Sequence, residues 1–412
     1  MFKPFELECI SCGEKYKTGN FYNCIKCGGI LNVKYNQSKY KLKNNQLIVD
    51  NSIQGLWSYK EYLPINNENN ICSLAEGHTP LIKSKISEIS GNLFFKDETR
   101  NPTGSFKDRP TTVSISKAIE NKCKGVVAAS SGNAGIATAA YAAVAKLPAI
   151  IFVPENLPNE KLLQASIYGA KIIKVRGDYS SSFELAKKVA LEYNYANLTS
   201  TYYNPYGLEG DKTIAFEMYN QLGHLVPDFI IIPIGAGPLL TGIYKGYLDL
   251  KEMNLIEKLP KMIGVQAKGC SPIVKAFKEN NKNVEPWNHV NTIASGISDP
   301  LKGYDQDGTY TLNIIKGSGG YAISVSDEEI IDSVFSLGNG QGIFVEPTSA
   351  TVFCGYKQLR KSELIKKDDL TVSIITGIGF KDTKPLYKFI GKIPIVEASL
   401  MEFDSLNILE NE

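Results

Sequence analysis

The sequence predicts an α/β protein with two αβα domains built on parallel sheets, preceded by a small zinc-ribbon-like segment. From about residue 71, short apolar strands alternate with helical stretches, which is typical of parallel sheets covered on both faces. The length of 412 residues suggests two or three domains. Four of the eight cysteines form two close pairs near the N-terminus, which indicates the ribbon.

The N-terminal cysteines have the spacing C-x2-C-x11-C-x2-C, and Gly13 and Gly28 follow the two pairs. Two such knuckles can place four thiolates around Zn²⁺, while the glycines permit the tight turns. The alternatives are reduced cysteines or a ribbon that no longer binds metal. The spacing fits structural zinc better than disulfides in a reducing compartment, so we expect a closed structural site. Its ligands are predicted to be Cys9, Cys12, Cys24 and Cys27.

Charge and hydropathy argue against several classes of function. The net charge is +2, from 45 basic and 43 acidic residues, so the basic footprint of a nucleic-acid binder is missing. The longest apolar stretch, 132–153, is interrupted by polar residues, and no run has the roughly 18 apolar residues of a membrane span. The first residues lack the pattern of a signal peptide. We therefore expect a cytoplasmic protein with neither membrane nor nucleic-acid partners.

The reactive candidates are a lysine and several loops rich in Gly, Ser and Asn. The three histidines form no metal-like or triad-like pattern, and G-x-S-x-G and the Walker phosphate loop are absent. Lys107 follows a turn sequence, and Ser105 is the predicted N-cap of the next helix. The positive end of that helix would lower the pKa of the Lys107 amine, as covalent catalysis by lysine requires. By itself, such a lysine is usually a solvated residue.

The segment KDETRNPTGSFKDR, residues 96–109, resembles the cofactor-lysine motif of the threonine synthase family. That family belongs to the pyridoxal-phosphate enzymes that also include threonine dehydratase and cysteine synthase. The resemblance runs from the ribbon to about Lys384. It implies pyridoxal 5'-phosphate bound to Lys107 in the cleft between the two αβα domains. It also implies that Lys107 is the catalytic residue and that the substrate is a small amino acid.

The motif SSGNAG, residues 130–135, lies between a strand and an Ala-rich helical stretch. A loop at a helix N-terminus offers amides and hydroxyls to an anion. By resemblance, Ser130, Ser131 and the amides of Asn133 and Ala134 hold the substrate α-carboxylate. The Asn133 side chain would bind the ring hydroxyl of the cofactor. The alternative is a simple capped turn.

The motif IPIGAGPLLTG, residues 232–242, follows another buried strand. Its glycines allow backbone amides to approach a phosphate at the start of the next helix. Because proline has no amide hydrogen, the cradle has one donor fewer at position 238. By resemblance, the cofactor phosphate is held by Gly235, Ala236, Gly237, Pro238 and Leu239.

Two further motifs match the family near the end of the chain. By resemblance, Thr376 in IITGIGFKD, residues 374–382, faces the pyridine nitrogen. A hydroxyl there can donate to a neutral nitrogen, which suits elimination and replacement chemistry. VEPTSA, residues 345–350, also matches, although a capped helix start would explain it.

The chain departs from the family where the substrate phosphate is expected to bind. Threonine synthases usually carry an arginine within NPxRxEGQKT that helps bind the phosphate of O-phosphohomoserine. Here, in NPYGLEGDKT, Gly207 replaces that arginine and Asp211 the glutamine, and Leu239 stands where an asparagine is frequent. Loss of a charge-assisted contact costs about 1.5–3 kcal/mol. The cations that could compensate are Arg109, Lys212 and Lys245.

Three functions remain open at this point. The first is a threonine synthase, which the ribbon and the lysine motif favour. The second is a paralogous serine/threonine ammonia-lyase or a β-replacing synthase, such as a cysteate-synthase-like enzyme. The third is a cofactor-binding regulatory protein without turnover, against which the intact Lys107, Asn133 and Thr376 argue. A homodimer is the habit of the family.

The predicted domain organisation interleaves the two αβα units. The smaller unit contains the SSGN loop, and the larger one is formed by chain segments on both sides of it. The segments are 1–36 for the ribbon, 37–109 for a connector and the first part of the large domain, 110–212 for the smaller domain, 213–385 for the rest of the large domain, and 386–412 for a C-terminal extension.

Overall fold

The strands form four sheets in the part of the chain that the computed structural model describes, residues 5–35, 42–86, 91–177, 179–199 and 202–408. The first strands are β1 Phe5–Cys9, β2 Lys15–Tyr16, β3 Leu31–Tyr35, β4 Leu42–Lys43, β5 Gln46–Leu47, β6 Leu81–Lys83 and β7 Leu93–Asp97. The others are β8 Gly125–Ala129, β9 Ala149–Pro154, β10 Lys171–Val175, β11 Tyr195–Asn197, β12 Phe229–Pro233, β13 Lys261–Ala267, β14 Tyr321–Val325 and β15 Thr371–Ile375.

The helices occupy most of the intervals between these strands. The first are α1 Asp108–Glu120, α2 Asn133–Ala145, α3 Leu163–Ile167, α4 Tyr179–Tyr193 and α5 Gly207–Gln221. The later ones are α6 Pro238–Glu252, α7 Pro272–Lys278, α8 Asp305–Gly317, α9 Asp327–Gln341, α10 Pro347–Lys361 and α11 Leu400–Asp404. None of the helices in these described ranges is both long and apolar enough to cross a bilayer.

The two larger sheets confirm the predicted α/β class. The four-stranded sheet has the order β10-β9-β8-β11, and all its pairs are parallel. The six-stranded sheet has the order β14-β13-β12-β15-β7-β6, and only the edge strand β6 runs antiparallel. The central strands β8, β12 and β15 are buried along their whole length, because helices cover both faces.

The parallel register fixes where functional groups can meet. The strands β7, β15 and β12 are neighbours in the six-stranded sheet, so their carboxyl ends lie at one edge. In open parallel sheets, ligands bind beyond that edge. The predicted boundaries at 109/110 and 212/213 remain predictions, since strand pairing does not define where a domain ends.

A small antiparallel sheet, β2-β1-β3, forms the N-terminal ribbon, which packs against α5 and α6. The Lys245 amine of α6 donates to the carbonyl of Val33 at 2.7 Å and pairs with Glu209. The Tyr35 hydroxyl donates to the same Glu209 carboxylate at 2.5 Å. The ribbon therefore covers charged groups of α5 that would otherwise face water.

A second charged cluster joins β7, α1 and α5 in the interior. The Arg109 guanidinium contacts Glu98 and Glu217, each at 2.6 Å, and Lys96 contacts Glu217 at 2.6 Å. All four side chains are buried. Buried charges are tolerated when they are paired and hydrogen-bonded in this way.

Candidate active site

A cavity of about 340 Å³ opens at the carboxyl edge of the strands and collects the predicted loops. Lys107, the Ser-Ser-Gly-Asn loop, the Gly-rich loop and Thr376 all line it. All the residues predicted to bind cofactor or substrate therefore line this cavity. The lining residues among them are Lys107, Ser130, Ser131, Asn133, Ala134, Gly235, Ala236, Gly237, Pro238, Leu239 and Thr376.

Backbone hydrogen bonds hold the Lys107 loop directly against the Thr376 loop. The Phe106 amide donates to the Thr376 carbonyl at 3.0 Å, and the Ile378 amide donates to the Gly104 carbonyl at 3.0 Å. Gly104 has a φ of +78°, and a Cβ there would lie 2.8 Å from the Ile378 side chain. Glycine is thus required for this close approach.

The predicted N-cap of the following helix was wrong. Helix α1 begins at Asp108 with Lys107 in the N-cap position, and no side chain caps it. The Ser105 hydroxyl is buried and has no hydrogen-bond partner among the described residues. The turn is instead fixed by the Asp108 carboxylate, which accepts from the Thr103 amide at 2.7 Å and its hydroxyl at 2.6 Å.

Burial lowers the pKa of the Lys107 amine to about 8. The negative charges of Asp211, Glu346 and Asp299 oppose this shift. The predicted direction is confirmed, but its main physical cause is desolvation rather than the position at a helix start. A lysine with such a pKa is available as a neutral nucleophile and as a proton carrier near neutral pH.

The Ser-Ser-Gly-Asn loop connects β8 to α2, whose N-cap Gly132 provides no side-chain cap. The first-turn amides of α2 are therefore available to an anion in the cavity. The Nδ2 atom of the Asn133 side chain donates to both carboxylate oxygens of Glu346 at 3.1 Å. Burial raises the pKa of Glu346 to about 6. The sequence signal for this contact was VEPTSA, for which a capped helix start was the alternative explanation.

The Gly-rich loop connects β12 to α6 as predicted, with Gly237 at the N-cap and Pro238 in the first turn. Gly237 has a φ of +100°, and a Cβ there would lie 2.4 Å from Thr311. The absence of a side-chain cap leaves the first-turn amides of a 15-residue helix facing the cavity. This arrangement fits a phosphate group.

Thr376 follows β15 and is 2% exposed. Its hydroxyl lies 2.9 Å from the Ser349 hydroxyl, which also accepts from the Gly377 amide at 2.7 Å. Ser349 therefore fixes the orientation of Thr376. Sequence reasoning did not assign a role to Ser349, because the sequence does not distinguish a first-turn serine that contacts an active-site residue from one that only begins a helix.

The cations that were predicted to replace the missing arginine do not line the cavity. Arg109 belongs to the interior cluster with Glu98 and Glu217, and Lys212 and Lys245 both pair with Glu209. Among the described residues, the cations on the cavity wall besides Lys107 are Lys161 and Lys381. Lys161 pairs with Asp382 at 3.3 Å, while the buried Lys381 amine has no hydrogen-bond partner among those residues.

The family of this chain follows from comparison with known proteins. The sequence model of the family described as "Pyridoxal-phosphate dependent enzyme" matches residues 72–377. The chain belongs to this family. The matched residues include the Lys107 loop, the Ser-Ser-Gly-Asn loop, the Gly-rich loop and Thr376.

Curated relatives of this pyridoxal-phosphate-dependent enzyme include several threonine synthases. The one from Methanocaldococcus jannaschii is 39% identical over 91% of this chain and 92% of its own length. The one from Methanosarcina acetivorans is 37% identical over 96% of this chain and 97% of its own length.

Solved structures agree with the fold. A serine racemase from Dictyostelium discoideum is 26% identical, with a TM-score of 0.60, over 73% of this chain and 92% of that one. A threonine deaminase from Solanum lycopersicum has a TM-score of 0.66 over 85% of this chain and 99% of that one; at 20% identity it supports the fold alone.

The cavity of this pyridoxal-phosphate-dependent enzyme fits its cofactor. Its volume lies within the usual range for sites of small ligands. It provides a lysine of lowered pKa, a helix N-terminus with uncapped amides for the phosphate, and a buried hydroxyl at Thr376. These are the groups that a phosphorylated aldehyde with a pyridine ring requires.

The four ribbon cysteines also lie close together. Their Sγ atoms are all within 4.8 Å of one another, and the separations include 3.5 Å for Cys9–Cys27 and 3.6 Å for Cys12–Cys24. Thiolates around tetrahedral zinc are about 3.8 Å apart, given Zn–S bonds of about 2.3 Å. Gly13 and Gly28, at φ values of +70° and +74°, form the predicted turns.

Proposed function

We propose that the chain is a threonine synthase, which converts O-phosphohomoserine and water into threonine and phosphate. The similarity to curated threonine synthases over more than nine-tenths of the chain carries this proposal. The cavity supports it, because it combines Lys107 with two uncapped helix N-termini whose amides are suited to anions. A substrate with an α-carboxylate and a phosphate group, such as O-phosphohomoserine, matches a site with several places for anions.

In this proposal each loop has one task. The cofactor, when bound, supplies the electron sink that stabilises negative charge at Cα. Lys107 holds the cofactor and moves protons at Cα and Cβ. Ser130, Ser131 and the amides of Asn133 and Ala134 bind the α-carboxylate, and the Asn133 side chain binds the ring hydroxyl. The amides of Gly235, Ala236, Gly237 and Leu239 bind the cofactor phosphate, Pro238 having no amide hydrogen to donate, and Thr376 donates to the pyridine nitrogen.

We further propose that Lys381 and Lys161 replace the missing arginine as partners of the substrate phosphate. Both line the main cavity, and the Lys381 amine is buried without a hydrogen-bond partner among the described residues. Replacement of Lys381 by Met should raise the KM for O-phosphohomoserine by about ten-fold or more, as the loss of a charged contact predicts. Steady-state kinetics with phosphate detection measures this.

A second candidate is a serine/threonine ammonia-lyase or β-replacing synthase. It is favoured by Gly207 and Asp211, which leave a carboxyl and no arginine beside Lys107. The test is a panel of O-phosphohomoserine, L-serine and L-threonine with the wild type and Gly207→Arg. A threonine synthase releases phosphate and threonine from the first substrate. The second candidate releases keto acid from the others, with no gain from Gly207→Arg.

We also propose a metal site, a location in the cell and an oligomeric state. The cysteine cluster Cys9, Cys12, Cys24 and Cys27 holds one structural zinc ion, supported by its compact geometry. We propose that the enzyme is cytoplasmic. We also propose that it forms a homodimer, and light scattering of the purified protein tests this oligomeric state.

A further inference from the structure

A second, smaller pocket of about 30 Å³ adjoins the main cavity. The two share Lys107, Ala134 and Pro238 in their walls. The rest of the small pocket comes from the start of α1, the end of the β11 loop and the start of α5. It contains Gly207 and Asp211, two of the three positions at which the chain departs from the threonine synthase pattern.

Asp211 is the polar group of this pocket that needs a ligand. Its side chain is 2% exposed, and its Oδ1 atom has no hydrogen-bond partner among the described residues. Three other polar side chains of the wall are engaged with backbone groups. Ser114 donates to a carbonyl at 2.7 Å, Thr199 accepts from an amide at 2.9 Å, and Asn204 bonds to backbone groups at 2.9 and 3.0 Å.

The size and charge of the pocket select the class of ligand. A water molecule needs about 10–15 Å³ of cavity volume. The pocket of about 30 Å³ therefore has room for about two waters but not for a phosphate group. A buried carboxyl oxygen without a partner requires a hydrogen-bond donor. Among the described lining residues Lys107 is the one cation, so a dianion would meet Asp211 without compensation.

We propose that Asp211 is a catalytic residue that holds the water consumed in the reaction and accepts its proton. The inference rests on the proposed function, in which water adds at Cβ after phosphate has left. The oxygen of water forms a bond to Cβ, and one of its O–H bonds breaks. The proton passes to the Asp211 carboxylate, while the π electron pair moves from Cβ to Cα. Lys107, in the wall of the same pocket, returns a proton to Cα.

The electrostatic surroundings of Asp211 agree with this role. Burial raises the pKa of its carboxyl to about 8, against the attraction of Lys107 and Arg109, while Glu98 reinforces the shift. A carboxylate with such a pKa accepts a proton from water more readily than an ordinary one. The other acids near Lys107, Glu346 and Asp299, line the main cavity and not the small pocket, so they do not compete for this water.

The test separates loss of phosphate from addition of water. The cofactor-loaded wild type and Asp211→Asn are given O-phosphohomoserine, and phosphate, threonine and 2-oxobutyrate are measured. In Asp211→Asn, we expect the threonine formed per phosphate released to fall at least about ten-fold, because general-base assistance contributes that much or more. The unhydrated product then leaves and hydrolyses to 2-oxobutyrate and ammonia. An unchanged ratio overturns the proposal.

The matched control is Asp307→Asn. Burial also raises the pKa of Asp307, to about 7, and its carboxylate accepts from the Tyr202 amide at 3.2 Å, but it lines neither pocket. The Asp307→Asn variant should keep the wild-type ratio of threonine to phosphate. An equal fall in this control overturns the assignment to Asp211.

A second measurement does not depend on turnover. A crystal structure of the cofactor-bound wild type should contain an ordered water within hydrogen-bond distance of Asp211, and a dry pocket overturns the proposal. If the wild type releases no phosphate from O-phosphohomoserine, the proposed function fails. The bound water then decides the inference about Asp211 separately.

Discussion

Lys107 combines an ordinary side chain with an unusual environment. Its half-buried side chain lines two pockets, and three carboxyl groups, Asp211, Glu346 and Asp299, act on its amine. Burial disfavours the charged ammonium more strongly than these carboxylates stabilise it. The residue is thereby prepared for bond formation before any substrate arrives.

This environment predicts how the cofactor-free protein captures pyridoxal phosphate. Only the neutral amine is a nucleophile, so the capture rate should rise with pH and reach half its maximum near the pKa of about 8. Stopped-flow absorbance between pH 6.5 and 9.5 measures this. Lys107→Ala should show no covalent capture, whereas Lys124→Ala, at an exposed position, should behave as the wild type. A midpoint near 10.4, the ordinary value for lysine, would contradict this account.

At the scale of single residues, the sequence identified the motifs but missed the contacts that join one motif to another across the fold. Lys107, Asn133 and Thr376 each follow a strand in a distinctive loop. Glu346 and Ser349 lie in VEPTSA, a motif that was noticed without a role for either residue. From the start of α10 they contact Asn133 and Thr376, and Glu346 is more than 200 residues from Asn133. No local pattern encodes such contacts. Asp211 was noticed as a departure, but its place in a water-sized pocket required the structure.

At the scale of elements, α5 connects the active site to the interior charge cluster. Asp211 and Glu217 lie on this helix, six positions apart, and Glu217 pairs with Arg109 of α1 and Lys96 of β7. The apolar run before the Gly-rich loop predicted the buried strand β12, but hydrophobic periodicity could not predict that the charges of α5 are buried. They are buried because the ribbon and neighbouring elements cover them.

Removal of one partner from this cluster should destabilise the fold strongly. Glu217→Gln leaves Arg109 and Lys96 without a full countercharge, so the free energy of unfolding should fall by about 3–5 kcal/mol. The matched control is Glu184→Gln, which breaks an exposed pair with Lys187 and should cost less than about 1 kcal/mol. Urea denaturation followed by circular dichroism measures both. Equal decreases in the free energy of unfolding would show that the interior cluster stabilises the fold no more than an exposed ion pair does.

The ribbon is predicted to bind one zinc ion per chain. Elemental analysis of protein purified under reducing conditions should find one zinc, and Cys12→Ser should lose it. Because Lys245 and Glu209 connect the ribbon to α5 and α6, loss of zinc should also lower the thermal unfolding midpoint of the whole chain. A metal-free protein of unchanged stability would contradict this prediction.

At the scale of the whole molecule, the fold class was predictable because two-sided burial of parallel strands produces continuous apolar runs such as Phe229–Pro233. The cleft position of the site followed from the strand ends. The substrate did not follow, because Gly207 and Asp211 argue against the overall resemblance. Charge in the cavity resolves part of this conflict, since Lys161 and Lys381 line the main cavity while Asp211 faces the small pocket.

The most direct test of the account is turnover of O-phosphohomoserine in water labelled with oxygen-18. If phosphate leaves by cleavage of the bond between Cγ and oxygen, and water then adds at Cβ, the label appears in the threonine hydroxyl. The released phosphate stays unlabelled, and the two products form in equal amounts. Mass spectrometry of threonine and phosphate reads this result. Labelled phosphate with homoserine as the product, or no turnover while L-serine or L-threonine yields keto acid, would contradict the account.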